Sequence, residues 1–295
     1  ARGHARRQRH SRPASGMVGQ DGRAEMTRRP PPKDRSAHER GRRTTVAQSE
    51  TRSLFRAASP DLVTLYGAHA VRAALTARKR KLLALYATET ALPRIHELAQ
   101  AAGLEPRLVD ARDHERRLGP EAVHQGLLLE ARPLPEADIS DIVSVSGVVL
   151  ALDQITDPHN VGAILRTACA FNVDAVIVTE RHSPEFSGVL AKAASGALEF
   201  TTIVSVVNLA RALDDLAERG YARVGLDSDG AESLSTITLS KPLALVLGAE
   251  GKGLRRLTRE RCDAVARLDL PGPIKSLNVS NACAAALSVV TTRLG

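Results

Sequence analysis

The chain has 295 residues, long enough for about two ordinary domains, and 43% of them are hydrophobic, which excludes a fibrous or wholly disordered protein. Its formal net charge is +8, yet residues 1–60 hold 14 Arg and one Lys against five acids, a net +10, so residues 61–295 sum to about −2. A polyanion partner is therefore supported by the start of the chain and hardly at all by the average charge of the remainder.

Residues 1–60 are rich in Arg, Ser, Pro and Gly, include the run Arg29-Pro30-Pro31-Pro32-Lys33, and carry scarcely an apolar cluster. Such a segment buries too little apolar surface to offset its ordering entropy, so it reads as a disordered basic tail, either a solubilising extension or an RNA-tethering arm. Its acids Asp21, Glu25, Asp34 and Glu39 argue against an organellar transit peptide. No apolar run reaches the roughly 18 to 20 residues that span a bilayer, and Cys169, Cys262 and Cys283 show no paired spacing. The expectation is a cytoplasmic protein without disulfides, membrane contact or metal.

From residue 61 the pattern becomes that of a folded unit ending at 132. Gly67 to Leu75 has helical apolar spacing and Leu82 to Ala87 reads as a buried strand. A second helix is predicted near Pro93 to Ala102, then short strands around Arg107 to Val109 and Leu127 to Leu129. Residues 133–146 read as a linker, because Pro133 and Pro135 break any continuing element. Residues 147–295 alternate apolar strands (148–152, 175–178, 202–206, 222–226, 243–247 and 265–270) with helices near 161–171, 188–194, 209–219 and 282–293. Near-continuous apolar strands separated by helices imply a mainly parallel sheet covered on both faces, and in such a sheet ligands bind outside the carboxyl ends of the strands.

Three polar, glycine-bearing segments sit beside those strands. In Asp157-Pro158-His159-Asn160-Val161-Gly162, read as a strained connection, Asn160 is suited to cap the following helix. Arg166, six residues on, is expected nearly beneath it, close enough for both to address one anion. Gly248-Ala249-Glu250-Gly251-Lys252-Gly253 is not a phosphate loop, because Val246 stands where the first glycine belongs and Gly253 where the hydroxyl belongs. Nor is it a dinucleotide fingerprint, since Arg255-Arg256 replaces the third glycine. Its glycines permit bare backbone to approach a flat ligand, with Glu250 alongside. In Pro271-Gly272-Pro273-Ile274-Lys275-Ser276-Leu277-Asn278-Val279-Ser280-Asn281, a turn presents Ser276, Asn278 and Ser280 at the start of the last helix.

Taken singly, each segment has an ordinary structural explanation. In this order they resemble the three motifs of the SpoU, or TrmH-like, branch of the knotted SPOUT RNA methyltransferases, over roughly residues 148–295. The start Leu65-Tyr66-Gly67-Ala68-His69-Ala70-Val71 and His124-Gln125-Gly126 are similar to the N-terminal substrate-binding domain of one group in that family. The resemblance implies an α/β protein with a small N-terminal RNA-binding domain and a C-terminal trefoil-knotted domain, acting as a homodimer with the last helix at the interface. The activity it implies is transfer of a methyl group from S-adenosylmethionine to a ribose 2′-hydroxyl of RNA. It makes Asn160 and Arg166 the catalytic and RNA-contacting pair, places Glu250, Ser276 and Asn278 at the reaction, and assigns cofactor contacts to Gly248, Leu268 and Leu277. Asp269 and Pro271 depart from the Ile-Pro-Met-x-Gly stretch of many relatives.

An arginine is a demanding general base, with a pKa above about 12, so Arg166 is read as holding phosphate and incipient alkoxide, with Glu250 or a phosphate oxygen receiving the proton. The N-terminal unit favours a guanosine of large-subunit ribosomal RNA over transfer RNA as substrate. An RNA-binding factor without catalysis and a dinucleotide-dependent oxidoreductase are the readings from other classes. With 3 Tyr, 4 Phe and no Trp, the chain has little material for base stacking, so RNA is expected to be held by shape, phosphate and main-chain contacts.

Overall fold

The computed structural model describes residues 54–143 and 147–295, and these form one compact unit. The disorder expected for the basic tail falls, up to residue 53, outside the described residues. The first part comprises β1 (Val63–Tyr66), α1 (Ala68–Ala77), β2 (Leu82–Ala87), α2 (His96–Ala101), β3 (Arg107–Leu108), α3 (Ala111–Leu118) and β4 (Leu127–Ala131). The strands make a sheet ordered β1-β4-β2-β3, with β4 antiparallel to both β1 and β2. Helix α3 carries no sequence signal, because five of its eight residues are charged and no apolar stripe marks it. Its start is fixed instead by a local bond from the Asp110 amide to the Asp113 carboxylate, 2.9 Å.

This helix buries His114 completely against His124, whose Nδ1 lies 3.2 Å from His114 Nδ1 and also accepts the Gly126 amide at 3.1 Å. His124 Nδ1 is thus an acceptor, which makes His114 Nδ1 the donor and requires the His124 ring to be neutral. Burial, reinforced by the neighbouring imidazole, pushes His114 down to about 4, and burial lowers His124 as well. The unfolded chain protonates these rings near pH 6.5 while the folded chain does not, so stability falls as pH drops from about 6.5 toward 4. For His114 the loss at pH 5 is expected to be about 2 kcal/mol relative to pH 7. Urea unfolding at the two pH values checks this: a His114→Leu variant should show a flattened dependence, and equal slopes in the two proteins would refute the assignment.

The second part contains β5 (Val148–Asp153), α4 (Pro158–Ala170), β6 (Ala175–Thr179), α5 (Gly188–Ala193), β7 (Ile203–Val206), α6 (Leu209–Glu218), β8 (Ala222–Leu226), β9 (Glu232–Ser233), β10 (Leu243–Gly248), α7 (Arg256–Glu260), β11 (Ala264–Arg267) and α8 (Val279–Leu294). Its seven strands run in the order β7-β6-β5-β10-β8-β11-β9, and every pairing is parallel. Alternate residues of the central strands enter different cores. Leu150, Leu152, Leu245 and Leu247 pack with Ile164, Leu165 and Leu287 from α4 and α8. Val149, Ala151, Ala244 and Val246 pack with Leu209, Leu213 and Leu216 from α6. Both faces are covered, which is why these strands read as apolar without alternation.

The two parts are fastened together. A side chain at Gly188 would meet the Thr64 carbonyl oxygen at 2.1 Å, and one at Gly196 would meet the Ala73 methyl at 2.6 Å, so small residues let backbones approach across the junction. Arg80 is buried there, donating through Nη2 and Nε to the Glu199 carboxylate at 2.7 and 3.0 Å, rather than joining a surface patch with its neighbours Arg78 and Lys79. The described part of the 133–146 segment also packs: Ala137 bridges Val204 at the sheet edge, Ile142 is buried, and Arg219 donates to the carbonyls of Ile139 and Ile142.

Candidate active site

Three chain segments meet at the carboxyl ends of the central strands. β5 ends in Asp153, the chain turns through left-handed Gln154, and α4 begins at Pro158 with Asp157 as its cap, accepting the amides of His159 and Asn160 at 3.1 and 3.3 Å. The cap expected at Asn160 is therefore Asp157, because proline fits the first helical position and the helix starts three residues before the predicted Val161. Residues 157–162 have no positive φ, so the expected strain is absent. Gly162 serves packing instead: a side chain there would meet Ala193 of α5 at 2.5 Å.

The second segment leaves β10 at Gly248 and folds back on itself. A Cβ on Gly248 would lie 2.3 Å from the Gly253 carbonyl carbon, and Gly251 and Gly253 adopt φ of +73° and +62°. Glycine at 248 thus admits the loop's own backbone, and it also lines the cavity beside this loop. The loop's end is held by buried Asp153, which accepts from Arg255 N and Nε at 2.9 and 2.6 Å.

The third segment begins earlier than predicted, since β11 stops at Arg267 rather than 270. Asp269 leaves the strand path to accept hydrogen bonds from the Ser233 and Ser235 hydroxyls, and these bonds hold its carboxyl below the usual range. The segment ends at Asn278, which caps α8 by accepting the Ser280 amide at 3.0 Å.

One carboxylate oxygen joins all three. Glu250 Oε1 accepts from Asn278 Nδ2 at 2.6 Å, from the Val279 amide at 3.1 Å and from Asn160 Nδ2 at 3.2 Å, while Asn278 Nδ2 also donates to Asn160 Oδ1 at 2.8 Å. Bonds to an ionised acceptor are the stronger kind, so this cluster fixes the mutual placement of the motifs.

Beside it lies a cavity of about 340 Å³. Of the residues picked out by sequence, Gly248, Glu250, Leu268, Ser276 and Leu277 line it, and Asn160 and Asn278 adjoin it through Glu250. Arg166 stands apart. It is exposed and has no hydrogen bond or ion pair among the described residues. Six helical residues amount to one and two-thirds turns, which rotates Arg166 by about 120° from Asn160, not beneath it. Sequence reading missed the wall formed by Leu226, Asp227 and Ser228, and also Leu270 and Lys275. The signal for the first three was available, because Leu226 ends an apolar strand and Asp227 and Ser228 follow it at its carboxyl end.

The cavity's chemistry suits an adenosine-bearing cofactor: Leu226, Leu247, Leu268 and Leu270 offer apolar walls, and carboxylates, serines and bare glycine backbone offer polar contacts. Among the described residues, no group of three or more His, Cys, Asp or Glu side chains is placed to hold a metal ion, and no helix is long and apolar enough to cross a membrane.

Residues 147–288 match the SpoU rRNA Methylase family, and residues 64–137 match the RNA 2′-O ribose methyltransferase substrate binding family. The chain is 42% identical over 224 residues to the 23S rRNA (guanosine-2′-O-)-methyltransferase RlmB of Pseudomonas aeruginosa, covering 73% of this chain and 90% of that protein. With the protein of the same name from Haemophilus influenzae it shares 37% identity over 78% of this chain and 98% of the relative. The crystal structure of the SpoU methyltransferase AviRb from Streptomyces viridochromogenes superposes with a TM-score of 0.69 at 20% identity, over 79% of this chain and 90% of that one, and shows the shared fold. With matches over both parts of the folded chain and close identity to whole relatives, the protein belongs to the SpoU rRNA methylase family.

Proposed function

We propose that this protein methylates the ribose 2′-hydroxyl of a guanosine in large-subunit ribosomal RNA, with S-adenosylmethionine as donor. The observation that carries the reading is the Glu250 cluster, which ties the three motif segments together at the edge of a cavity outside the carboxyl ends of a parallel sheet. The relatives named for this reaction on 23S rRNA supply the substrate.

When bound, S-adenosylmethionine supplies a methyl group on a sulfonium, a leaving group that needs no further activation. The leucines of the cavity offer the cofactor apolar contact, and the folded-back Gly248–Gly253 loop presents main-chain groups to it. A sugar hydroxyl is a weak nucleophile until its proton leaves. Glu250 Oε1 is occupied by three protein donors, whereas Oε2 accepts none among the described residues and is the oxygen available to take that proton. Ser276 and Asn278 orient the ribose. Arg166 holds RNA phosphate, and since it faces away from the cluster in its own chain, it serves the site of a second copy in a homodimer.

The same reading carries the trefoil path of the final third of the chain, in line with the family. Methyl transfer to ribosomal RNA transcripts, followed by ribose-methylation mapping in cells lacking the protein, tests the proposal. One guanosine of the large-subunit RNA should lose its mark, and loss confined to transfer RNA would overturn the substrate. Sedimentation should find a dimer.

A further inference from the structure

Motif two is held from both sides by acids at the ends of the strands that flank it. β5 ends in Asp153, which binds Arg255, and β8 leads directly into Asp227, which accepts the neighbouring Leu254 amide at 3.4 Å and Arg259 Nη1 at 3.3 Å. Consecutive amides of one loop are thus anchored on opposite sides of β10. We propose that Asp227 is a positioning residue that gives the Gly248–Arg255 loop its cofactor-facing shape; the inference rests on the methyltransferase reading above.

Two glycines record how tightly this is built. A Cβ on Gly253 would lie 2.6 Å from Asp227 Oδ2, so the carboxylate occupies the space a side chain would need. The carbonyl carbon of that same Gly253 fills the space beside Gly248. The loop therefore follows its path only if position 253 is bare and a short acceptor stands opposite. Asp227 is well suited to this, because its other oxygen takes the Asp229 amide at 3.0 Å and fixes the carboxylate's own orientation.

Its side chain is only 10% exposed, and a carboxylate so enclosed is unfavourable unless its oxygens are bonded. An apolar residue would pack there without that cost but would leave the Leu254 amide unpaired and the loop free to shift. The two acids also differ in place. Asp227 lines the cavity wall, whereas Asp153 does not, so Asp227 couples loop shape to ligand binding most directly.

The test uses the full chain. Titration calorimetry with S-adenosylmethionine and S-adenosylhomocysteine should show binding to Asp227→Ala weakened by on the order of 10- to 100-fold, as expected when the Leu254 amide loses its partner and the loop must be ordered on binding. At saturating cofactor kcat should stay within about threefold of the unsubstituted protein, so the effect lies in KM. Asp227→Asn keeps one acceptor but sets its NH2 against either the Leu254 or the Asp229 amide, so it should restore only part of the affinity. Gly253→Ala, which sets a methyl against the same carboxylate, should reproduce the loss. In cofactor-free protein, hydrogen exchange of the 249–255 amides should rise in Asp227→Ala while that of β5 and β10 is unchanged. Equal cofactor affinity in Asp227→Ala, or faster exchange spread over the whole sheet, overturns the positioning role. Absence of binding by the unsubstituted protein would instead overturn the methyltransferase reading and this inference with it.

Discussion

Glu250→Ala is expected to lower kcat/KM for RNA methylation by on the order of 10²-fold, because it removes the one acceptor that Asn160, Asn278 and the Val279 amide share. Two motifs lose their common anchor, and three donors must find water or one another. Glu250→Gln keeps an oxygen for the closest bond but loses the charge that strengthens it, so its effect should be intermediate. Because Glu250 is exposed, neither substitution should cost much stability, and both proteins should unfold near the midpoint of the unsubstituted one. Single-turnover kinetics would decide the matter. A Glu250→Ala protein within about threefold of normal speed would mean that the cluster has no part in the chemistry.

The second large effect concerns stability. Replacing Arg80 by Met leaves the Glu199 carboxylate, 2% exposed, without its bidentate partner, and should cost about 3–5 kcal/mol. Arg80→Met with Glu199→Met should recover most of that loss, since a packed apolar pair avoids the desolvation of both charges. Urea unfolding of the two single variants and the double completes the cycle. A single variant costing under about 1 kcal/mol would show that the junction does not depend on the pair. Asp227 and His114 mark smaller, separable effects, one on cofactor affinity and one on acid stability.

Much of this molecule was legible from residue order alone. The strand and helix alternation of the second part followed from apolar runs, since strands buried on both faces need no polar alternation and stand out against capped helices. The resemblance carried by the three ordered motifs named seven residues that stand around one cavity or its adjoining cluster, because the three segments together, unlike any one alone, have no ordinary structural explanation. Local rules failed where a distant segment set the outcome. Helix α3 has no apolar stripe and depends on burying His114. Gly162 reads as part of a strained connection, whereas its bareness admits Ala193, and Gly248, which lines the cavity, is bare also because it admits Gly253. The buried pair of Arg80 with Glu199 joins positions 119 apart and has no counterpart in any local pattern. Composition and short-range periodicity thus fixed the layers and the chemical groups available. Which groups touch was decided by the packing of remote segments, because a hydrogen bond or a close backbone approach depends on distances in space that no local pattern encodes.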